Sequence, residues 1–577
     1  LRDNRGTAIY LSESTVIGDG VTIENTTRGP LYTELDGEPT LDGVPDPPID
    51  ELVMQFNGWG VESRSGGAPA YMEWRNGTFL NTALGGIYSF RGQAIIDGNV
   101  MINTGMTDEL NPSAQGGIAI TQGPENMAAP ILEITNNSFY GSQGNNLLQL
   151  LSVPSILVDN NTMCGGISGA LWISNAEATV VNNDFGVDDE ANPACDNLPW
   201  NYAARITGSD LDIIDQGAVF NRNVIEAPLA AYGLRFSGLG SVEVEENTIN
   251  GGGTAAIEAT FSVPTQLFQD HDGDTQSPWA GDCHDGDPAI STLVAEIPDD
   301  LIDNDCNPLT PDSTHPDIDD QDQDGVSVAD GDCDDTDPTR APGLDELIGN
   351  WIDDNCDGWA DTDAIDMPVP VLTLLENTIT GAGTGVFAQG ATVHLTEAET
   401  NPVGNVISTT TGSGIELRNW MSQGVVAQGI ATLSPTTELI DIGLDCIRTI
   451  TGDTIATLDG ATLTNCGGAG LATLSGGLIT ATGTVIDGSG GPGVSAASGL
   501  VVLDNVLVQG PGGAGIYVAG SGNVDGSNVN ITSATGPAVQ VLGGTLDLTG
   551  GGVESLGATT VQQTFGTAVL TDVDILN

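Results

Sequence analysis

Residues 246–257 read ENTINGGGTAAI, and residues 376–387 read ENTITGAGTGVF. The phrases align without a gap at an offset of 130. Their opening recurs along the chain: a turn asparagine, a small or β-branched residue, then an apolar one. NNSF ends at Phe139, NNTM at Met163, NNDF at Phe185 and RNVI at Ile225. Asn137, Asn161 and Asn183 are 24 and 22 residues apart, and Asn223 and Asn247 are 24 apart. Toward the C-terminus a glycine-then-apolar phrase takes over. GAGL ends at Leu471, GPGV at Val494, GAGI at Ile516 and GPAV at Val539, in steps of 23, 22 and 23.

A period this short and this regular indicates a solenoid. Between the turns the segments are short and alternate apolar with polar, as in SVEVEEN and ATVVNN, which is strand patterning. No long segment carries a 3.6-residue apolar stripe. Short strands, glycine turns and coils of about 22 residues predict a parallel β-helix, with coils stacked about 4.8 Å apart. Val, Ile and Leu fill a continuous core, so length is not limited as in a globular domain. Asparagines at equivalent turns are placed to stack in a hydrogen-bonded ladder. The NNS, NNT and NIT sequons therefore read as turn asparagines before glycosylation acceptors.

This pattern resembles the right-handed parallel β-helix family of pectate-lyase-like proteins, over most of 1–261 and 369–577. The resemblance implies a fold and no particular activity.

From about 262 to 368 the phrase stops. Residues 270–366 hold 30 acids and one base, Arg340. The segment is internally duplicated at an offset of fifty. Asp270, Asp272 and Asp274 match Asp320, Asp322 and Asp324; Asp282, Asp285 and Asp287 match Asp332, Asp335 and Asp337. Glu296 matches Glu346, Asp303 matches Asp353, and Cys283 and Cys306 match Cys333 and Cys356. A solvated polyacid has no reason to keep such a register. Carboxylates at i, i+2 and i+4 of a tight loop converge on one point, and a glycine at the sixth place permits the turn, as in the first half of an EF-hand-type calcium loop. Asp320, Asp322, Asp324 and Gly325 fit; in the first copy Thr275 replaces the glycine. Asp282 and Asp332 are expected to close the shell, with Asp330 a competitor in the second copy. All-oxygen sites select hard cations, and calcium tolerates irregular geometry.

The longer pattern, DxDxDG, then DCDDxDP, then an acid and DDNCDG, resembles the MopE-like metal-binding repeat of bacterial surface proteins. The second copy follows it closely; the first has His284 in place of an aspartate and DNDCNP at its end. The resemblance implies metal binding. Its name implies copper, which these oxygen donors do not.

Eight cysteines, at 164, 195, 283, 306, 333, 356, 446 and 466, pair in order at separations of 31, 23, 23 and 20. An even count without CxxC predicts four disulfides in an oxidising compartment, zinc thiolates being the alternative. Cys446–Cys466 and Cys164–Cys195 are expected to join neighbouring coils. Cys283–Cys306 and Cys333–Cys356 each close a loop around the acids, contributing roughly 3 kcal/mol by loop closure. With almost no apolar core, these modules need metal and disulfide to fold.

The chain has 79 acids against 12 bases, all arginine, for a net charge of −67. Such a surface repels nucleic acid and anionic lipid and attracts divalent cations. No apolar stretch is long enough to span a membrane. Leu1 follows no signal peptide or initiator methionine, and neither RGTAIYL at 5–11 nor VDILN at 573–577 reads as a polar cap. More flanking chain, or copies meeting end to end, is the expectation.

Enzymatic residues are sparse. Asp184, Asp188 and Asp189 cluster, but acids are everywhere; Arg205, Arg235 and Arg418 are the candidate bases of a lyase. No acid–base pair emerges.

The expected fold is all-β: a right-handed parallel β-helix solenoid with an irregular, disulfide- and calcium-stabilised acidic insert. It divides into 1–261, N-terminal β-helix; 262–368, the duplicated Asp-rich insert; and 369–577, C-terminal β-helix. The expected function is an extracellular structural or adhesive cell-surface or filament protein, and not an enzyme. Its expected partners are calcium ions, itself end to end, or surface glycans. A polysaccharide lyase or hydrolase and a metal scavenger are the alternatives.

The offset of 130 exceeds one coil by about 108 residues, and segment 262–368 is 107 long. The insert should therefore project from one unbroken solenoid, with Asn247 and Asn377 on adjacent coils.

Overall fold

A computed structural model describes residues 9–12, 15–24, 40–41, 44–45, 59–64, 70–82, 85–90, 92–105, 116–121, 132–142, 145–153, 155–174, 176–186, 200–208, 218–238, 240–261, 270, 272–297, 302–307, 322, 324–327, 332–344, 352–356, 370–397, 403–422, 425–556 and 559–576.

Among the described residues forty-seven strands join through parallel pairing into one continuous β-helix. A representative coil has three strands, Ser241–Glu245, Thr248–Gly251 and Ala255–Phe261, each paired in register with its equivalent in the next coil. The only helical element among the described residues is the short 3-10 turn Pro278–Ala280.

Alternation puts every second side chain inside. One interior column runs Ile23, Phe79, Met101, Phe139, Met163, Phe185, Ile225 and Ile249, each register-paired with the next. It continues through Ile379, Ile407, Leu439, Leu463, Ile486, Val508, Ile531 and Val553, and all sixteen are fully buried. Burial of each such side chain contributes roughly 1.5–3 kcal/mol, and stacking makes the gain additive along the axis.

A polar column flanks it. Asn99, Asn137, Asn161, Asn183, Asn223, Asn247, Asn377 and Asn405 are all buried, and each Nδ2 donates to the Oδ1 of the next at 2.9–3.1 Å. Each Oδ1 also accepts the preceding asparagine's backbone N–H, as from Asn137 to Asn161 at 2.9 Å. The turn is sharp because the residue before the ladder asparagine is left-handed: Asn136, Asn160, Asn182, Arg222, Glu246 and Glu376 have φ of 54–57°. Asparagine tolerates that region best among side-chain-bearing residues. After Asn405 the equivalent sites are Thr437, Ala461, Thr484, Val506 and Val529, all buried, so the amide ladder ends where the glycine phrase takes over.

The solenoid is not interrupted by the acidic segment. Strand Ser241–Glu245 pairs with Val371–Leu375, and Ile249 is register-paired with Ile379. The chain leaves after Phe261, the end of one coil's last strand, and re-enters at Val371, the start of the next coil. A single coil step thus holds the whole insert.

The Cys446–Cys466 bridge ties adjacent coils, with Cα atoms 5.4 Å apart. Cys164 is disulfide-bonded; Cys195 lies outside the described residues.

Candidate metal centre

The described residues of the insert are mostly turns and bends. Its first copy has a small apolar cluster, Cys283, Cys306 and Ile290 with Ile302 against them. Disulfides Cys283–Cys306 and Cys333–Cys356, with Cα separations of 5.6 and 5.5 Å, staple the copies.

The carboxylates are held by the backbone. Asp270 accepts the N–H of Gly273 at 2.6 Å and of Thr275 at 3.0 Å. Asp272 Oδ1 accepts from Asp274 N–H, Asp274 Oδ1 from Gln276 N–H, and Asp282 Oδ1 from His284 N–H, at 3.0, 2.7 and 2.9 Å. The second copy repeats this: Asp322 to Asp324, Asp324 to Val326 and Asp332 to Asp334, at 3.1, 2.7 and 2.9 Å. Asp270 is held through both oxygens. In Asp272, Asp274, Asp282 and Asp332, Oδ1 fixes the side chain and Oδ2 is left for a different partner.

Carboxylate oxygens converge in both copies. One oxygen each from Asp272, Asp282 and Asp285 lies within 4.8 Å of the others, and so do those of Asp322, Asp332 and Asp335. Asp270, Asp272 and Asp274 form a second group in the first copy, and Glu296, Asp303 and Asp305 a third. Asp282 is 0% exposed and Asp332 5%. The Oδ2 atoms of Asp272, Asp274, Asp282 and Asp332, with Glu296 Oε1 and Asp305 Oδ1, are buried without a hydrogen-bond partner. An orphaned buried carboxylate oxygen is costly. Orphaned oxygens on residues of such clusters fit a cation, and the donors are all hard oxygens.

Electrostatics agree. Burial first, then the neighbouring Asp274, Asp272 and Asp285, push Asp282 up to about 7. Burial and Asp324, Asp322 and Asp335 do the same to Asp332, again to about 7. Burial with Asp303 and Asp305 raises Glu296 to about 7, and burial with Asp305 raises Asp303 to about 6. Like charges held close in a poorly solvated site cannot all ionise unless a cation balances them.

Thr275 takes φ +85°, where Gly325 of the second copy takes +104°. Only glycine adopts that region without strain, so the first loop is bent at a cost the second avoids.

Not every acid joins a group. Asp287 and Asp337 accept the N–H of Ala289 and Thr339, each at 3.1 Å, and Asp337 also lies 3.6 Å from Arg340. Both act as turn caps here and belong to none of the four groups among the described residues. Asp353 is buried at the position equivalent to Asp303. Asp320, Asp330 and Glu346 lie outside the described residues. Asp305 was not singled out by sequence reasoning. Its signal is the i, i+2 spacing from Asp303, which Asn355 breaks in the second copy.

Among the described residues the enzymatic candidates do not converge. Asp184 pairs with Thr162 and Val224, on a different sheet face from Arg205 and Arg235, which pair with each other. Arg205 lies over Trp172 and Tyr202, at 5.5 and 5.9 Å. Arg235 pairs with Glu258 and lies over Tyr232, and Arg418 is 2.6 Å from Glu416 and lies over Phe387. Asp188 and Asp189 lie outside the described residues. Among the described residues no helix is long and apolar enough to cross a membrane.

The family model Cu-binding_MopE, described as "putative metal-binding motif", matches twice, at 282–310 and 332–362. The two matches coincide with the two disulfide-stapled copies. No curated protein matches the chain. A solved structure titled "Structure of PL6 family alginate lyase AlyGC" aligns over 99% of this chain and 98% of that one, at 11% identity and a TM-score of 0.25. A likeness that low carries no argument here.

Proposed function

We propose that this chain is an extracellular structural or adhesive surface protein, a stiff β-helix that displays a pair of calcium-binding modules. The observation that carries the reading is the paired inner site. Asp272, Asp282 and Asp285 recur as Asp322, Asp332 and Asp335, with buried, unpartnered oxygens on Asp282 and Asp332. Calcium is favoured over copper because the donors are carboxylates. His284 is the only histidine among the insert's described residues, and it belongs to no group. Calcium is favoured over magnesium because the groups are irregular. The ligands Asp272, Asp282 and Asp285, with their equivalents, would hold the ion; the bound ion would supply charge neutralisation and cross-link the turns.

The extracellular placement rests on the disulfides, which persist in oxidising compartments. The structural role rests on rigidity: a continuous parallel ladder, a buried amide column and stapled modules. The partners in this reading are calcium ions, with other copies end to end or surface glycans. Calorimetric titration of the intact, chelator-treated protein with calcium, magnesium and copper(II) tests it. Tight calcium binding at a few ions per chain is expected, with weaker magnesium and copper responses. Preferential copper binding, or no saturable calcium binding, would overturn it.

A further inference from the structure

The two copies are paired reciprocally. His284 of the first forms an antiparallel bridge with Ile352 of the second, and Asp334 of the second forms the same bridge with Ile302 of the first. The residues match at the duplication offset: 284 with 334, 302 with 352. Hydrogen bonds follow the same rule. Asp303 N–H donates to the Cys333 carbonyl at 3.1 Å, and Asp353 N–H to the Cys283 carbonyl at 2.9 Å. Such exchange is what a two-fold relation between the copies produces. A cleft lined by Ile290, Ile302, Ile352 and Arg340 runs between them.

These bonds tie each inner acidic loop to the other copy, and the Asp303 bond links two acidic groups. Cys283 lies between Asp282 and Asp285 of the first inner site, and its carbonyl holds Asp353 of the second copy. Cys333 lies between Asp332 and Asp335, and its carbonyl holds Asp303, a member of the Glu296, Asp303 and Asp305 group. Each inner loop is therefore the docking edge for the other copy's outer acidic turn. Within a copy the apolar support is slight: two cysteines and two isoleucines in the first.

We propose that the two modules bind calcium cooperatively, each filled module supplying the ordered edge on which the other closes. The proposal rests on the calcium reading above. A module without its ion has no balanced charge to hold the inner loop, so the carbonyl that receives its sibling is not fixed. Filling one inner site fixes that carbonyl and lowers the ordering cost of the other. Coupling of this kind typically changes affinity by about 5- to 150-fold, and it must be equal in both directions.

The test uses the full chain. Hydrogen exchange is followed as calcium is added, in peptides from 272–297 and from 332–344. The wild type should protect both peptides at one calcium midpoint, with a Hill coefficient above 1. In Asp282→Asn/Asp285→Asn, the midpoint for 332–344 should rise by about 5-fold or more, although no ligand of that module has changed. The reciprocal variant Asp332→Asn should shift 272–297 in the same direction. Exchange in solenoid peptides around Asn247 verifies that each variant is folded. Separate wild-type midpoints, or an unchanged midpoint for the untouched module, would overturn the cooperative pairing while leaving calcium binding intact. Absence of any calcium-dependent protection would overturn both.

Discussion

Asn247 and Asn377, 130 residues apart in sequence, are neighbours in one ladder. Asn247 Nδ2 donates to Asn377 Oδ1 at 3.0 Å, and its backbone N–H donates to the same oxygen at 3.0 Å. The bond closes the solenoid beneath the insert, so the metal modules hang from a scaffold that does not depend on them.

Asn247→Ala should destabilise the β-helix. It removes the acceptor of Asn223 N–H and the donor to the Phe220 carbonyl, both buried, and the donor to the part-buried Glu245 carbonyl. Leaving buried groups unsatisfied costs about 1–3 kcal/mol each, so a loss of at least about 2 kcal/mol is expected from guanidinium unfolding followed by circular dichroism. A change within a few tenths would show that the ladder contributes little.

Thr275→Gly should tighten the first module. A β-branched residue at φ +85° is strained, and relief of such strain is worth on the order of 1–3 kcal/mol. The calcium midpoint for residues 272–297 should fall by about fivefold or more, since about 1.4 kcal/mol is tenfold in affinity. A weakened site would mean that the threonine contributes a contact outweighing its strain.

The metal-free insert should be more ordered in mild acid than at neutral pH. Asp282, Asp332, Glu296 and Asp303 are raised above the ordinary carboxylate range by burial and then by like charges, to about 7, 7, 7 and 6. The folded form binds these protons more tightly than the unfolded one. Its stability is thus fully present below the ordinary values near 4 and is lost as pH rises toward 7. With chelator present, proteolysis of 270–356 should be slower at pH 4.5 than at pH 8. Equal rates, or the reverse order, would contradict the burial of these groups.

Cys333→Ser/Cys356→Ser should loosen the second module without disturbing the solenoid. Loop closure of this length contributes roughly 3 kcal/mol, and little apolar surface is present to replace it. Calcium should still protect 332–344, at a midpoint raised by about tenfold or more. An unchanged midpoint would leave the carboxylates and ion as the sole determinants of module order.

Much of this architecture was legible in the residues, because the constraints act on local backbone. A left-handed turn before a buried amide permits few residues, so Asn136–Asn137, Asn160–Asn161 and Glu246–Asn247 keep a visible period. The single-scaffold mounting of the insert could be read from the two ENTI phrases for the same reason. The continuation of the ladder position through Thr437, Ala461 and Val506 was not visible, since those side chains share only burial. Asp305 was hidden because its equivalent is Asn355. The turn-capping of Asp287 and Asp337 was hidden because a cap and a ligand look alike in a DxDP string. The reciprocal pairing of the copies left no pattern, because it runs through backbone groups of Cys283, Asp303, Cys333 and Asp353.

The most direct measurement is anomalous scattering from crystals of the intact protein grown with calcium. One peak is expected among Asp272, Asp282 and Asp285 and an equivalent peak among Asp322, Asp332 and Asp335, each about 2.3–2.6 Å from carboxylate oxygens. No peak at either place, with both triads closed by hydrogen bonds or protons, would contradict it.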